Sequence, residues 1–195
     1  MPERRLSDPR ELSALAHPLR IAIIEQLSLD GPLTATELGE RLDESPANCS
    51  WHLRKLAAHG LVEEAPSQGG RRRPWQVPSI GFSWLEGDDS PETRRAGHAL
   101  SELVMSRSLD RLREAYARAA DEPEEWRSAS DGTQAMLWLT AEELRDLNLA
   151  VRELLTAKSF LARMSDPGAR PSGARLCEIV SWGAPTYLPG QEPTP

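Results

Sequence analysis

The sequence predicts a mainly α-helical chain with a small β component, an α+β protein, and three observations carry that prediction. Helix-start punctuation recurs at Asp8-Pro9, His17-Pro18, Thr34, Ser45-Pro46, Ser90-Pro91 and Thr140, in most cases a side chain that caps free N–H groups or a proline whose missing N–H costs nothing in a first turn. Between these points apolar residues recur at three- and four-residue spacing. Strand character is confined to short stretches at 61–65, 75–77, 134–139 and 174–182.

Asp8-Pro9-Arg10-Glu11 opens a short helix that runs through Ala16. Pro18 opens a second, with Leu19, Ile23, Ile24 and Leu27 on one face and Gly31-Pro32 as its stop. Thr34-Ala35-Thr36-Glu37 is a capping box, and Leu38 and Leu42 lie one turn apart on the helix that follows. Asp43-Glu44 makes a turn, and Ser45-Pro46 restarts the chain as cap and first helical residue. Cys49, Leu53 and Leu56 line the buried face up to Gly60, placed where a helix end wants positive φ. Leu61 to Ala65 and Trp75-Gln76-Val77 flank a turn-prone Gly-Gly segment and three arginines, a β-hairpin with a basic tip. Pro74 and Pro78 restrict its second strand to a short edge.

Ser79 to Asp89 is a connector whose Phe82, Trp84 and Leu85 need cover. Ser90-Pro91 caps a long helix with Leu100, Leu103, Val104, Leu109, Leu112 and Tyr116 as its apolar stripe, closed by Asp121-Glu122-Pro123. The last third predicts strand, helix, strand: 134–139, a Thr140-capped helix to about Met164, a turn at Pro167 to Gly173, and 174–182. A small α+β module is the expectation there.

Composition narrows the function. The 195 residues suffice for one ordinary domain or two small ones. No stretch reaches the ~18 apolar residues of a membrane span, and the expectation is a soluble, cytoplasmic protein. Cys49 and Cys177 are too few for a disulfide scaffold or a four-thiolate zinc site. The net charge of −7 argues against a chain wrapped in nucleic acid, but it is unevenly spread. Residues 45–78 hold five basic side chains against two acidic ones, a local +3. One basic face on an acidic body suits contact with a polyanion on one side.

Helix, helix, helix, turn, helix and basic hairpin is the order of a winged helix-turn-helix domain. Leu15-Ala16-His17-Pro18-Leu19-Arg20, Ser45-Pro46-Ala47-Asn48-Cys49-Ser50-Trp51-His52-Leu53-Arg54-Lys55-Leu56 and Gly60-Leu61-Val62 closely resemble the ArsR-like family of bacterial winged-helix regulators, over residues 8–80. The second part resembles actinobacterial members with a C-terminal extension. The resemblance implies a homodimer on double-stranded DNA, with repression as the expected sense.

A helix in the major groove reads base edges from its first turns while helix N-termini and basic side chains hold phosphates. Facing away from Cys49, Leu53 and Leu56 stand Ala47, Asn48, Ser50, Trp51, Arg54 and Lys55. Asn48 suits adenine, Ser50 a base or phosphate, and the Ala47 methyl a thymine methyl. Ser45 caps this helix, and His52 fits a capping or phosphate role. Trp51 has two uses open to it: contact with DNA or packing against the wing. Arg71, Arg72 and Arg73 at the tip belong over phosphates or in the minor groove, where arginine is favoured by narrow geometry; on a loop in isolation they would be merely solvated.

Metal-sensing relatives use paired thiolates before the recognition helix or His/Asp clusters on the last helix, and neither pattern is present here. His98 has no partner at helical spacing, and His17 and His59 suit helix ends. No metal, cofactor or catalytic residue is expected. Tyr116, Trp126, Trp138 and Trp182 could line an apolar pocket for an unidentified small-molecule effector, or form core and dimer interface.

The expected division is 1–85, a winged helix-turn-helix domain, and 86–195, a long dimerisation helix plus a C-terminal dimerisation or effector module. The function expected is that of a sequence-specific DNA-binding transcriptional regulator, a repressor binding a palindromic operator as a homodimer. The alternative is a winged helix that docks a protein and binds no DNA.

Overall fold

The computed structural model describes residues 4–66, 73–79, 81–84 and 90–189, and its fold is mainly helical with two small sheets. The chain begins with strand β1 (Arg4–Arg5) and helices α1 (Pro9–Leu15), α2 (Pro18–Asp30), α3 (Ala35–Leu42) and α4 (Pro46–Ala57). Each start is held by the residue its sequence marks. Asp8 accepts from the Arg10 N–H at 2.8 Å, His17 Nδ1 from the Leu19 N–H at 3.2 Å, and Ser45 Oγ from the Asn48 N–H at 3.1 Å. Thr34 and Glu37 satisfy one another's backbone N–H in a closed capping box.

One core joins these helices. Leu12, Leu15, Ile23, Leu27, Leu38, Leu53, Leu56 and Leu61 are fully or almost fully buried, and α4 packs on α2 and α3 through Cys49, Leu53 and Leu56. At roughly 1.5–3 kcal/mol for each large apolar side chain removed from water, this cluster is the main source of the domain's stability.

Strands β2 (Glu63–Glu64) and β3 (Trp75–Gln76) pair antiparallel, with Glu63 opposite Gln76 and Glu64 opposite Trp75. Leu33 bridges to the other edge of Trp75, with N···O distances of 3.0 and 2.8 Å. The hairpin is therefore tied back to the segment between α2 and α3. Its expected tip residues Arg71 and Arg72 lie outside the described residues. Strand β4 (Phe82–Ser83) pairs in parallel with β1, Arg4 with Phe82 and Arg5 with Ser83, which tucks Phe82 and Trp84 against the core.

Helix α5 (Pro91–Arg118) opens with the Ser90 cap and leans its first half on α1. Thr93 Oγ1 donates to the Ser7 carbonyl at 3.3 Å, Trp84 Nε1 to Ser101 Oγ at 2.7 Å, and Leu100 is fully buried. At about 1.5 Å per residue the helix is on the order of 40 Å long; Arg107 and Arg111 still hold Glu25 of α2, at 2.7 and 3.0 Å, while Leu109 and Tyr116 are exposed.

The final third departs from its expected elements. Helix α6 (Glu124–Ala129) follows α5, and the single helix expected to Met164 is two, α7 (Ala141–Leu155) and α8 (Lys158–Ser165). The break falls where the Thr156 hydroxyl donates to the Arg152 carbonyl at 2.7 Å and Ala157 turns extended. The strands expected at 134–139 and 174–182 do not form: both stretches run without a ladder. A strand needs a paired neighbour and an apolar face to cover, and Trp138 is 89% exposed.

Candidate nucleic-acid interface

The turn between α3 and α4 fixes how α4 is presented. Asp43 takes the left-handed conformation, φ 53° and ψ 46°, and Glu44 donates its N–H to the Gly39 carbonyl at 2.9 Å. Gly39 is required by the closeness of this turn, because a Cβ there would lie 2.6 Å from the Glu44 carbonyl oxygen. The far end of α4 is held by Arg4, whose guanidinium donates to the carbonyls of His59, at 3.2 Å, and Gly60 and pairs with Glu11. These carbonyls lie just past the end of α4, so the guanidinium fixes the turn that leaves the helix and places a positive charge near its C-terminus, where the dipole favours one.

Helix α4 then presents two rows to solvent. Ala47, Ser50 and Arg54 follow one line of the helix and Trp51 and Lys55 the next, while Cys49, His52, Leu53 and Leu56 face inward. Ala47, Trp51, Arg54 and Lys55 are exposed and Ser50 is half-buried. Pro46 has no N–H, and that of Asn48 is taken by Ser45; the Ala47 N–H is the first-turn donor without a partner among the described residues. The Asn48 side-chain amide donates to Glu44 at 2.9 Å, which leaves its carbonyl oxygen to offer.

Trp51 is 49% exposed. It meets the His52 ring edge-on at 4.7 Å and carries Lys55 Nζ over its own face at 5.5 Å. With Lys55, His59, Arg10 and Arg20 it borders a cleft of about 400 Å³ between α1 and α4. Its described neighbours thus lie on the α1 side, and the indole stays available from outside.

His52 stands apart from the expected set. Only 4% exposed, its ring rests on His17 with centroids 4.6 Å apart, so it offers nothing to a phosphate. Burial, then the neighbouring His17 and Arg20, lower its pKa below the usual histidine value, and burial and Arg20 do the same to His17. Cys49 is fully buried, and burial pushes its thiol up. Among the described residues no three metal-ligating side chains come together.

Arg73 is exposed at the foot of the hairpin, 3.9 Å from Glu64; Arg71 and Arg72 are not among the described residues. The four aromatics of the effector reading are dispersed over α5, α6 and the irregular segments. Tyr116, Trp138 and Trp182 are exposed, Trp126 is half-buried with the Arg175 guanidinium 4.8 Å over its ring, and none borders the cleft between α1 and α4.

Sequence reasoning missed Arg4, Gly39 and Leu33. A glycine inside a helical pattern four residues before a turn is a legible sign of close approach. Arg4 and Leu33 have no such sign, since their roles exist only once distant segments meet.

Residues 15–65, about a quarter of the chain, match the model of a helix-turn-helix domain family. No curated protein matches the chain. The matched segment runs from the end of α1 through β2, and with it the DNA-binding regulatory class accounts for this part of the molecule. Among the described residues no helix is long and apolar enough to cross a membrane.

Proposed function

We propose that the chain is a sequence-specific transcriptional regulator of the ArsR-like type, a repressor that binds a palindromic operator as a homodimer. Residues 1–85 act as the DNA-binding domain and 86–195 as the dimerisation part. The observation that carries this reading is the outward double row on α4, Ala47, Ser50 and Arg54 beside Trp51 and Lys55. It combines a small apolar contact, a hydroxyl, an aromatic face and two cations on a helix of major-groove width. Ser45 and the free Ala47 N–H suit a phosphate at the helix start, and the arginines of the wing suit the adjacent backbone or minor groove.

Two-fold pairing follows from the geometry of such readers, whose half-sites lie about one DNA turn apart. The test is selection of fragmented genomic DNA on the purified protein at about 0.15 M salt, where non-specific binding weakens and specific sites stand out. Recovery of a shared inverted repeat, lost on Arg54→Ala, is the expected result. A helix that docked a protein would retain no DNA above background.

A further inference from the structure

Of the nineteen large apolar side chains exposed in the described chain, fifteen lie between Met136 and Leu188. Leu137, Trp138, Leu154, Leu176, Ile179 and Trp182 are each at least half open to solvent. With roughly 150–250 Å² for a large side chain and about half of it open, these fifteen residues expose on the order of 1,000 Å² per chain. A stable interface takes about 800 Å² from each partner, an area this sum reaches. The exposure is that of one half of an interface.

What ties this stretch to its own chain is polar. Glu178 pairs with Arg111 of α5 at 2.7 Å and Arg175 with Glu122 at 2.6 Å, while Leu176 and Ile179 beside them point outward. Such partly exposed ion pairs contribute about 1 kcal/mol or less each. The backbones of 134–139 and 176–188 make no backbone–backbone hydrogen bond among the described residues. Apart from the Gly183 carbonyl, which accepts from the Asn148 side-chain amide at 3.2 Å, their N–H and C=O groups have no partner among the described residues, as on an open sheet edge.

We propose that a second copy of this chain covers the stretch: 134–139 and 174–182 of the two copies pair as strands about the two-fold axis, and α7 of each copy closes over them. Three observations favour a second copy over a different protein. Residues 131–189 hold seven acidic and six basic side chains, so two copies meet without net repulsion and no excess of one sign selects a charged partner. Met105, Leu109 and Tyr116 on α5 are exposed as well, and Arg111 of that helix holds Glu178 at 2.7 Å, so apolar surface is open on both sides of that contact. Third, unpaired segments of the same sequence in both copies satisfy one another reciprocally, as an isologous contact requires.

The inference rests on the homodimeric reading above and extends it to a defined set of residues. Its test uses the full chain. Hydrogen exchange at micromolar concentration should show slow backbone amides in 134–139 and 174–182, and sedimentation should give a dimer. Trp138→Asp with Leu176→Asp replaces groups already open to water in the single chain, so the helical content should persist while the dimer weakens at least 100-fold. Arg54→Ala is the control, with the dimer intact and DNA binding reduced. Fast exchange in both segments, or a dimer indifferent to the double substitution, overturns the proposal. Failure of the DNA-binding reading has a different signature: protected segments and a stable dimer that retains no DNA.

Discussion

His52 stands on α4, the helix whose outer rows are proposed to meet DNA, yet its ring is turned inward onto His17. Burial is the leading cause of the lowered pKa of both rings, because an imidazolium loses hydration that nothing nearby replaces. His17 must also stay unprotonated at Nδ1 to accept the Leu19 N–H that starts α2. Folded, both rings bind protons more weakly than at their ordinary value of 6.5, so below that value the unfolded chain takes up protons first. Their contribution to stability is complete well above 6.5 and falls as pH drops through that value and on through the lower folded-state values. The urea midpoint should follow that course, and His52→Gln should flatten it. The carboxylates with lowered values, Asp8, Glu143 and Glu178, act below their ordinary values of 3.8 to 4.5 and do not overlap this window. A midpoint constant from pH 7 to 5 would show that the pair is not coupled to folding.

Arg54 makes the sharpest prediction on DNA at the same scale. Exposed at the end of its row, its side chain has no described structural duty, so Arg54→Ala should leave the thermal midpoint unchanged. Operator binding should weaken by about 1–3 kcal/mol, roughly 5- to 150-fold. A titration of labelled operator reads this directly, and equal affinity would remove Arg54 from the interface.

At the scale of elements, the geometry of α4 depends on Gly39. Gly39→Ala brings a Cβ to within 2.6 Å of the Glu44 carbonyl oxygen, and backbone cannot yield as a side-chain tip does. The expected cost is about 1–3 kcal/mol of overpacking strain, seen as a lower thermal midpoint and weaker DNA binding together, because the turn aims the recognition helix. An unchanged midpoint would mean that the turn relaxes freely.

The helices from Asp8 to Gly60 were legible because each carries its own instructions: Asp8, His17, Thr34, Ser45 and Ser90 cap where their sequence says they do. The outer rows of α4 were legible for the same reason, since a helical period divides a face once the core positions are known. The same period places His52, three residues after Cys49 and four before Leu56, on the buried face, and only its ring partner His17, remote in sequence, was illegible. The parallel pairing of β1 with β4 was invisible for a similar reason: two residues of Arg4–Arg5 carry no strand pattern until Phe82 and Ser83 lie beside them.

At the scale of the whole molecule, the contrast is between a winged helix-turn-helix domain with a closed core and a C-terminal third without one. Every residue of 130–189 is exposed or half-exposed in the described chain apart from the side chain of Ser165, for which no burial is described. The strands expected at 134–139 and 174–182 have the composition of strands and lack partners. In a single chain nothing is available to pair them, which is why a local pattern was a poor guide to local structure here. Arg111 links the two parts, bonded to Glu25 of α2 at 3.0 Å and to Glu178 at 2.7 Å. Under the proposed dimer, α5 would lie between the surface that pairs the copies and the helices that meet DNA. At micromolar concentration the protein should sediment as a dimer, and a monomer would remove the two-fold operator from the account.

The measurement closest to the central claim is the selection of genomic fragments on the purified full-length protein at about 0.15 M salt. The account predicts a small set of fragments that share an inverted repeat, with half-sites about one helical turn apart, and their loss with Arg54→Ala. Retention of no fragments above background by a folded, dimeric protein would contradict it.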